Sequence, residues 1–270
     1  LKWGLANANK DLGLLPKEKS SAIAGTAMEI YEGSHSSEFP LDVFQTGSGT
    51  STNMNMNEVI SNLSSTDSNP VHPNDHVNMG QSSNDVIPSA INVDAVLTVT
   101  NNLIPSMRHL KNSIEEKAKS IGDLPKNGRT HLMDAMPITF SQEMSAWSAQ
   151  IEDSITQYEL SMSKLQQLAI GGTAVGTGIN ADPDLSKKCC NHINKLTGME
   201  FRPANNSFQA ISSQDASLIL SSCNKILAVA LTKISNDLRW MNSGPLGGIG
   251  EITLPALQPG SSIMPGKVNP

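Results

Sequence analysis

Apolar residues recur in three long stretches at steps of three and four, the spacing that lines one face of an α-helix. The clearest runs Phe140, Met144, Trp147, Ile151, Ile155, Tyr158, Met162 and Leu165, with polar residues between. A second seam runs Val96, Val99, Leu103, Met107, Leu110 and Ile114, and a third Ala216, Ile219, Cys223, Ile226, Ala230, Ile234, Leu238 and Met241. Helices of roughly 30 residues reach about 45 Å, and segments of that length pack as a bundle with antiparallel neighbours rather than as a globule of short helices. Pro88 is expected in the first turn of its helix, where a missing N–H is tolerated, and Pro105 is expected to add a kink. Period-two runs are few, so the fold class is all-α, with short strands at most.

Between the helices lie loops dense in Gly, Pro, Ser and Asn, at residues 46–51, 69–85, 122–137, 171–184 and 243–270. The last loop ends the sequence with no helix after it, as expected of a fragment or of a core completed by partner chains.

Composition narrows the partners. Lys and Arg number 19 against 25 Asp and Glu, a net charge of −6, without any basic block. Nucleic acid and anionic membrane are therefore not expected as partners, and no apolar run approaches the roughly 18 residues of a membrane span. Charged residues are only 16% of the chain, against about 25% in typical domains. Long helices with uncharged polar faces are expected to face other helices. Cys189, Cys190 and Cys223 form neither an even disulfide framework nor a CxxC pair, which predicts reduced thiols. No basic and then apolar leader opens the chain, so the cytoplasm is expected, while Leu1 in place of Met points to a missing start.

The loops carry the chemistry. Gly47-Ser48-Gly49-Thr50 runs into a helix opening near Ser51, and Ser82-Ser83-Asn84 precedes the first long helix. Hydroxyls and N–H groups at a helix N-terminus suit a carboxylate or phosphate, although each motif alone also reads as an ordinary cap. No Lys follows the glycines at Walker spacing, and residues 171–178 hold no GxGxxG, so a nucleotide site is not expected. His72, Asp75 and His76 are irregularly spaced and read as a hydrogen-bonded loop rather than a metal cage. Gly128-Arg129-Thr130-His131 sets an imidazole beside a hydroxyl and a guanidinium, and His is the natural acid or base near neutral pH. In the last loop two hydroxyls, Ser261 and Ser262, offer a nucleophile or base, and Lys267 with Asn269 can hold anionic oxygens.

One Lys, one Arg, one His, a Ser pair and many neutral donors suit a small dicarboxylate. The chemistry such a set supports without metal or cofactor is removal of a proton next to a carboxylate, then loss of a group from the neighbouring carbon.

These residues carry a resemblance. The sequence GSSIMPGKVNP at 260–270 resembles the signature loop of the fumarase/aspartase superfamily, and motifs at 47–58, 72–75, 82–85, 128–132 and 171–180 resemble its companions in the same order, across essentially the whole chain. Thr130-His131 and GGTAVGTGIN at 171–180 resemble its class II fumarase branch. The resemblance implies a long-helix bundle of the fumarase/aspartase type with a small N-terminal helical portion, a partial N-terminal domain at 1–81 and a central bundle domain at 82–270 truncated at the signature loop. It implies reversible hydration of fumarate to (S)-malate through an aci-carboxylate, with Ser261 as base and His131 activating or protonating the water. Ser48, Gly49, Thr50, Ser82, Ser83, Asn84, Thr130, Ser262, Lys267, Val268 and Asn269 would bind the substrate, and His72, Pro73, Asn74 and Asp75 would match a second dicarboxylate site. It further implies no cofactor, a homotetramer whose active sites draw loops from three subunits, and an internal fragment whose His131 partner carboxylate lies beyond Pro270. An ammonia-lyase is the nearest rival enzyme, set apart by His131, and a non-catalytic helical scaffold is the reading from another class.

Overall fold

The computed structural model describes residues 1–270 except 245, 265, 268 and 270. Contacts divide the chain into two units, Leu1–Leu103 with Glu159–Leu220, and Ile104–Tyr158 with Ser221–Pro270. This division differs from the 81/82 boundary expected from sequence, because helices on both sides of residue 82 share one core.

In the first unit α1 (Lys2–Asp11) packs against α2 (Lys17–Tyr31) and against α7 (Leu185–Thr197). Leu5, Ala8, Val86, Val96, Leu165, Leu168, Leu185, Cys189, Ile193 and Phe201 form one buried cluster. Ala6, Leu15, Ile23, Ile60, Val71 and Val77 form a second, beneath α3 (Thr50–Ser64). Helix α4 (Ser83–Thr98) opens on a capping box at Ser82. The box fixes the helix start at Ser83, so Pro88 lies in the second turn rather than the first as expected. A short parallel pair, β3 (Gln167–Leu168) with β4 (Arg202–Pro203), and the six-residue α8 (Ser207–Ser212) complete this unit.

The second unit holds α5 (Ile104–Ile121), the antiparallel hairpin of β1 (Pro125–Thr130) and β2 (Met133–Thr139), and residues 242–270. A π-helical stretch, Val99–Leu103, joins α4 to α5, whose second residue is Pro105, and the widened turn absorbs the ring and the missing donor of that proline. Helix α6 (Phe140–Leu165) and helix α9 (Asp215–Met241) each contribute residues to both units. Within the second unit Trp147 Nε1 donates to Asp237 Oδ2 at 3.1 Å, and Tyr158 OH to Asn224 Oδ1 at 2.5 Å.

The α6 seam is as expected, with Phe140, Met144, Trp147, Ile151, Ile155, Tyr158 and Leu165 buried. The α9 seam is corrected. Cys223, Leu227, Ala230, Ile234 and Met241 are buried, while Ile226 is 47% exposed and Ile219 39%. Leu218, Val229 and Trp240 of α9 are exposed as well. By length and composition alone this helix is apolar enough to cross a membrane, which a search for an uninterrupted apolar run misses because Ser, Asn and Lys punctuate it.

Candidate active site

In the first unit, Gly49 adopts φ +66° and caps α3, and Ser48 Oγ lies 3.0 Å from Thr50 Oγ1. At the start of α4, Ser82 Oγ accepts the N–H of Asn84 at 3.2 Å, and Asp85 Oδ1 accepts the N–H of Ser82 at 2.9 Å. Asn53 Nδ2 donates to Ser83 Oγ at 3.2 Å. Thr50, Ser82, Ser83, Asn74 and Asp75 line one cleft of about 630 Å³. The structure thus brings predicted substrate residues beside two of the second-site residues. Ser48, Gly49, Asn84, His72 and Pro73 lie outside that lining.

Residues not singled out from the sequence shape the cleft. Asn53, Asn57 and Thr173 line it with buried side chains, and Asn53 Oδ1, Asn57 Oδ1 and Thr173 Oγ1 have no hydrogen-bond partner among the described residues. Asp85 is fully buried, and its Oδ2 accepts the N–H groups of Gly171 and Thr173, each at 2.9 Å. Asn84 Nδ2 adds a bond to the carbonyl of Ala174 at 2.8 Å. The 171–180 loop is therefore tied to the start of α4 from two sides. Burial raises the Asp85 carboxyl to about 6 against the pull of these N–H donors and of Lys2. Lys2, also buried, donates to Asn78 Oδ1 and Gln81 Oε1 at 3.0 and 2.7 Å, and burial lowers its ammonium to about 7. The available signal was the Ser-x-x-Asp spacing from Ser82 to Asp85, which marks a capping box.

His72 caps the turn Pro73–Val77, and its Nδ1 accepts the N–H of Asp75 and lies 3.2 Å from Asp75 Oδ2. His76 Nδ1 accepts the N–H of His72, and burial, then the charge of Lys19, hold the His76 imidazole below its ordinary value. Lys19 Nζ donates to the Pro70 carbonyl. Among the described residues no group of three His, Cys, Asp or Glu is arranged to hold a metal ion.

In the second unit, His131 and Leu132 form the two-residue turn between β1 and β2, with φ of +53° and +62°. Thr130 pairs with Met133 at the base of that turn, and Thr130 and His131 are exposed. The residues expected in a loop are thus held at the tip of a hairpin. Two left-handed residues fit the primed turns that match strand twist, but Asn-Gly is the usual occupant. Here a histidine and a leucine carry the strain.

Arg129 is a correction. Expected among the groups offered to a dicarboxylate, it is held instead by Glu251, Nη2 to Oε1 at 2.8 Å and Nη1 to Oε2 at 3.2 Å. A fork-to-fork pair leaves the guanidinium committed to the fold.

The terminal loop closes on itself. Gln258 and Asn269 form an isolated bridge, Asn269 Nδ2 donates to the Pro259 carbonyl at 2.9 Å, and Ser261 Oγ accepts the N–H of Ile263 at 3.3 Å. Gly260 runs so close to Lys267 that a Cβ would stand 2.0 Å from its carbonyl oxygen. Ser261, Ser262, Lys267 and Asn269 thereby share one small loop with Ser262 and Lys267 exposed, while Val268 lies outside the described residues.

The described geometry therefore offers a cleft rich in neutral donors and acceptors, an imidazole on a hairpin tip, and a hydroxyl and an ammonium on a closed loop. The model of a lyase family matches residues 1–270, and the chain belongs to that family. It is 53% identical over its whole length to a class II fumarate hydratase of Xylella fastidiosa and 52% identical to a class II fumarate hydratase of Pseudomonas aeruginosa. The chain spans 57% and 59% of the lengths of these relatives. The crystal structure of a class II fumarase from Schistosoma mansoni superposes with a TM-score of 0.96 at 41% identity, over 99% of this chain and 60% of that one.

Proposed function

We propose that the protein is a hydro-lyase that interconverts fumarate and (S)-malate. The observation that carries the reading is identity above 50%, across the whole chain, to relatives named class II fumarate hydratase. The polar cleft and the Lys267 loop agree with a substrate that is small and doubly anionic.

In this reading the Ser261 alkoxide takes a proton from C3 of (S)-malate, and the electron pair moves onto the adjacent carboxylate as an aci-form. The C2 hydroxyl then leaves as water with a proton supplied through His131, and the C2=C3 double bond forms. A serine hydroxyl is a weak acid, so the role demands strong stabilisation of its oxyanion by the loop and Lys267. Ser48, Gly49, Thr50, Ser82, Ser83, Asn84, Thr130, Ser262, Lys267, Val268 and Asn269 hold the carboxylates, and 72–75 form a second dicarboxylate site. No cofactor takes part. The same proposal places the reaction in the tricarboxylic acid cycle and in the cytoplasm, supported by three unpaired cysteines.

Assembly as a homotetramer belongs to the proposal. Exposed Leu218, Ile226, Val229 and Trp240 give α9 an apolar face suited to contact with other copies.

The test is absorbance at the fumarate double bond as the protein is mixed with (S)-malate, beside ammonia release from aspartate. Fumarate formed from malate supports the hydratase. Ammonia from aspartate without reaction of malate moves the chain to the rival lyase.

A further inference from the structure

Lys126 and Arg129 stand three residues apart in β1, a separation that in a regular strand sends side chains to opposite faces. Both nevertheless meet one carboxylate. Lys126 Nζ lies 3.2 Å from Glu251 Oε2, and the Arg129 fork grips both Glu251 oxygens. The pairing of β1 with β2 slips between them, since β1 advances two residues from Asn127 to Arg129 while β2 advances three from Pro137 to Asp134, so the extra residue of the bulge lies on β2, opposite Gly128. Only glycine fits there, since a Cβ would stand 2.5 Å from the Met136 carbonyl oxygen.

Lys126 also pairs with Glu143 at the start of α6, and its Nζ lies 5.5 Å from the Phe140 ring centre. Two cations and two carboxylates alternate, and the side chains of Lys126, Glu251, Arg129 and Glu143 are 2%, 13%, 19% and 20% exposed. The next residues along β1 after this cluster are Thr130 and the left-handed turn of His131 and Leu132. A turn of two such residues persists only where its surroundings over-determine it.

We propose that Glu251 is a positioning residue for His131. By binding Lys126 and Arg129 together it fixes the bulged register of the hairpin, and with it the direction in which Thr130 and His131 leave the strand. The inference rests on the reading of His131 as acid or base in fumarate hydration. It adds a residue on the segment that leads into Ser261, which touches no substrate and acts through the hairpin.

The test is Glu251→Gln, which keeps the size and one acceptor and removes the charge, followed by kcat and KM for (S)-malate, thermal midpoint and amide exchange of residues 125–139. Expected are a kcat lowered at least about tenfold by misplacement of the imidazole, a KM within about threefold, a midpoint lowered by a few degrees as Arg129 loses its carboxylate, and faster exchange in the hairpin. Arg129→Gln should act alike, and the double variant should lose no more than the more damaging single one, because both break one interaction. A kcat equal to that of the parent, or additive losses with unchanged hairpin exchange, overturns the proposal. Should Glu251→Gln fail to fold, Arg129→Lys keeps the charge without the fork; lowered kcat at constant KM supports the proposal and unchanged kcat overturns it. Should the parent protein not hydrate fumarate at all, hairpin exchange decides: a rise on Glu251→Gln supports the clamp, and none overturns it.

Discussion

The Asp85 carboxylate accepts the N–H of Thr173 at 2.9 Å and thereby fixes a threonine with φ of +55°. The same oxygen takes the N–H of Gly171, and the other oxygen that of Ser82. One buried acid thus joins the turn that caps α4 to the loop at 171–180, and both line the polar cleft.

Asp85→Ala leaves the buried N–H of Thr173 and the half-buried N–H groups of Ser82 and Gly171 without their acceptor, at about 1–3 kcal/mol for a buried group left unpaired. The thermal midpoint is expected to fall by several degrees in a calorimetric scan. An unchanged midpoint would show that the latch contributes nothing.

Asp85 also predicts a pH signature. Its folded value, about 6, lies above the unfolded carboxyl, so the native state binds the proton more tightly between the two. Its contribution is most favourable at low pH and is lost as pH rises from about 4 to about 6, by roughly 3 kcal/mol at most. The stability difference between the parent protein and Asp85→Asn, measured by urea unfolding, should shrink over that interval. A flat difference contradicts the burial argument.

The closed terminal loop depends on Gly260, whose Cβ position stands 2.0 Å from the Lys267 carbonyl oxygen. Gly260→Ala must move backbone against backbone, and turnover should fall at least about tenfold. The segment is exposed, so the thermal midpoint should hardly change.

Leu132 carries φ of +62° while 61% exposed. A left-handed non-glycine residue costs about 1–2 kcal/mol, partly offset in Leu132→Gly by the extra freedom glycine gives the unfolded chain. A gain of up to about 1 kcal/mol is expected, a rise of roughly 2–4 °C in melting temperature.

Cys189 and Cys190 are buried, and burial pushes both thiols up to about 12. Neither should react with a thiol reagent at pH 8 in the native protein, and both should react in denaturant. Rapid labelling of the native protein would show that the α7 core opens.

Much of the fold was legible because long helices bury a narrow stripe. Phe140 to Leu165 read as one seam and are one helix. The seam of helix α9 misleads at two turns, where Ile219 and Ile226 are exposed and Leu227 is buried, because apolar residues cover several of its faces. The hairpin at 125–139 was not visible as strands, since Pro125, Gly128 and Pro137 break the alternation and a bulge shifts its phase. Short motifs located Thr50, Ser82 and His131, which lie at helix starts and a turn. The long-range pairs did not show, because nothing near Arg129 in sequence announces Glu251, 122 residues away. Asp85 was in view, but as a local cap, and its reach to Gly171 and Thr173 is a property of the folded core.

Hydration of fumarate with Ser261 as the base is tested by kcat for (S)-malate in Ser261→Ala beside the parent protein. Fumarate formation by the parent and a kcat at least about a hundredfold lower in the variant are expected, with the thermal midpoint unchanged because Ser261 lies in a surface loop. Equal turnover by the two proteins would contradict Ser261 as the base.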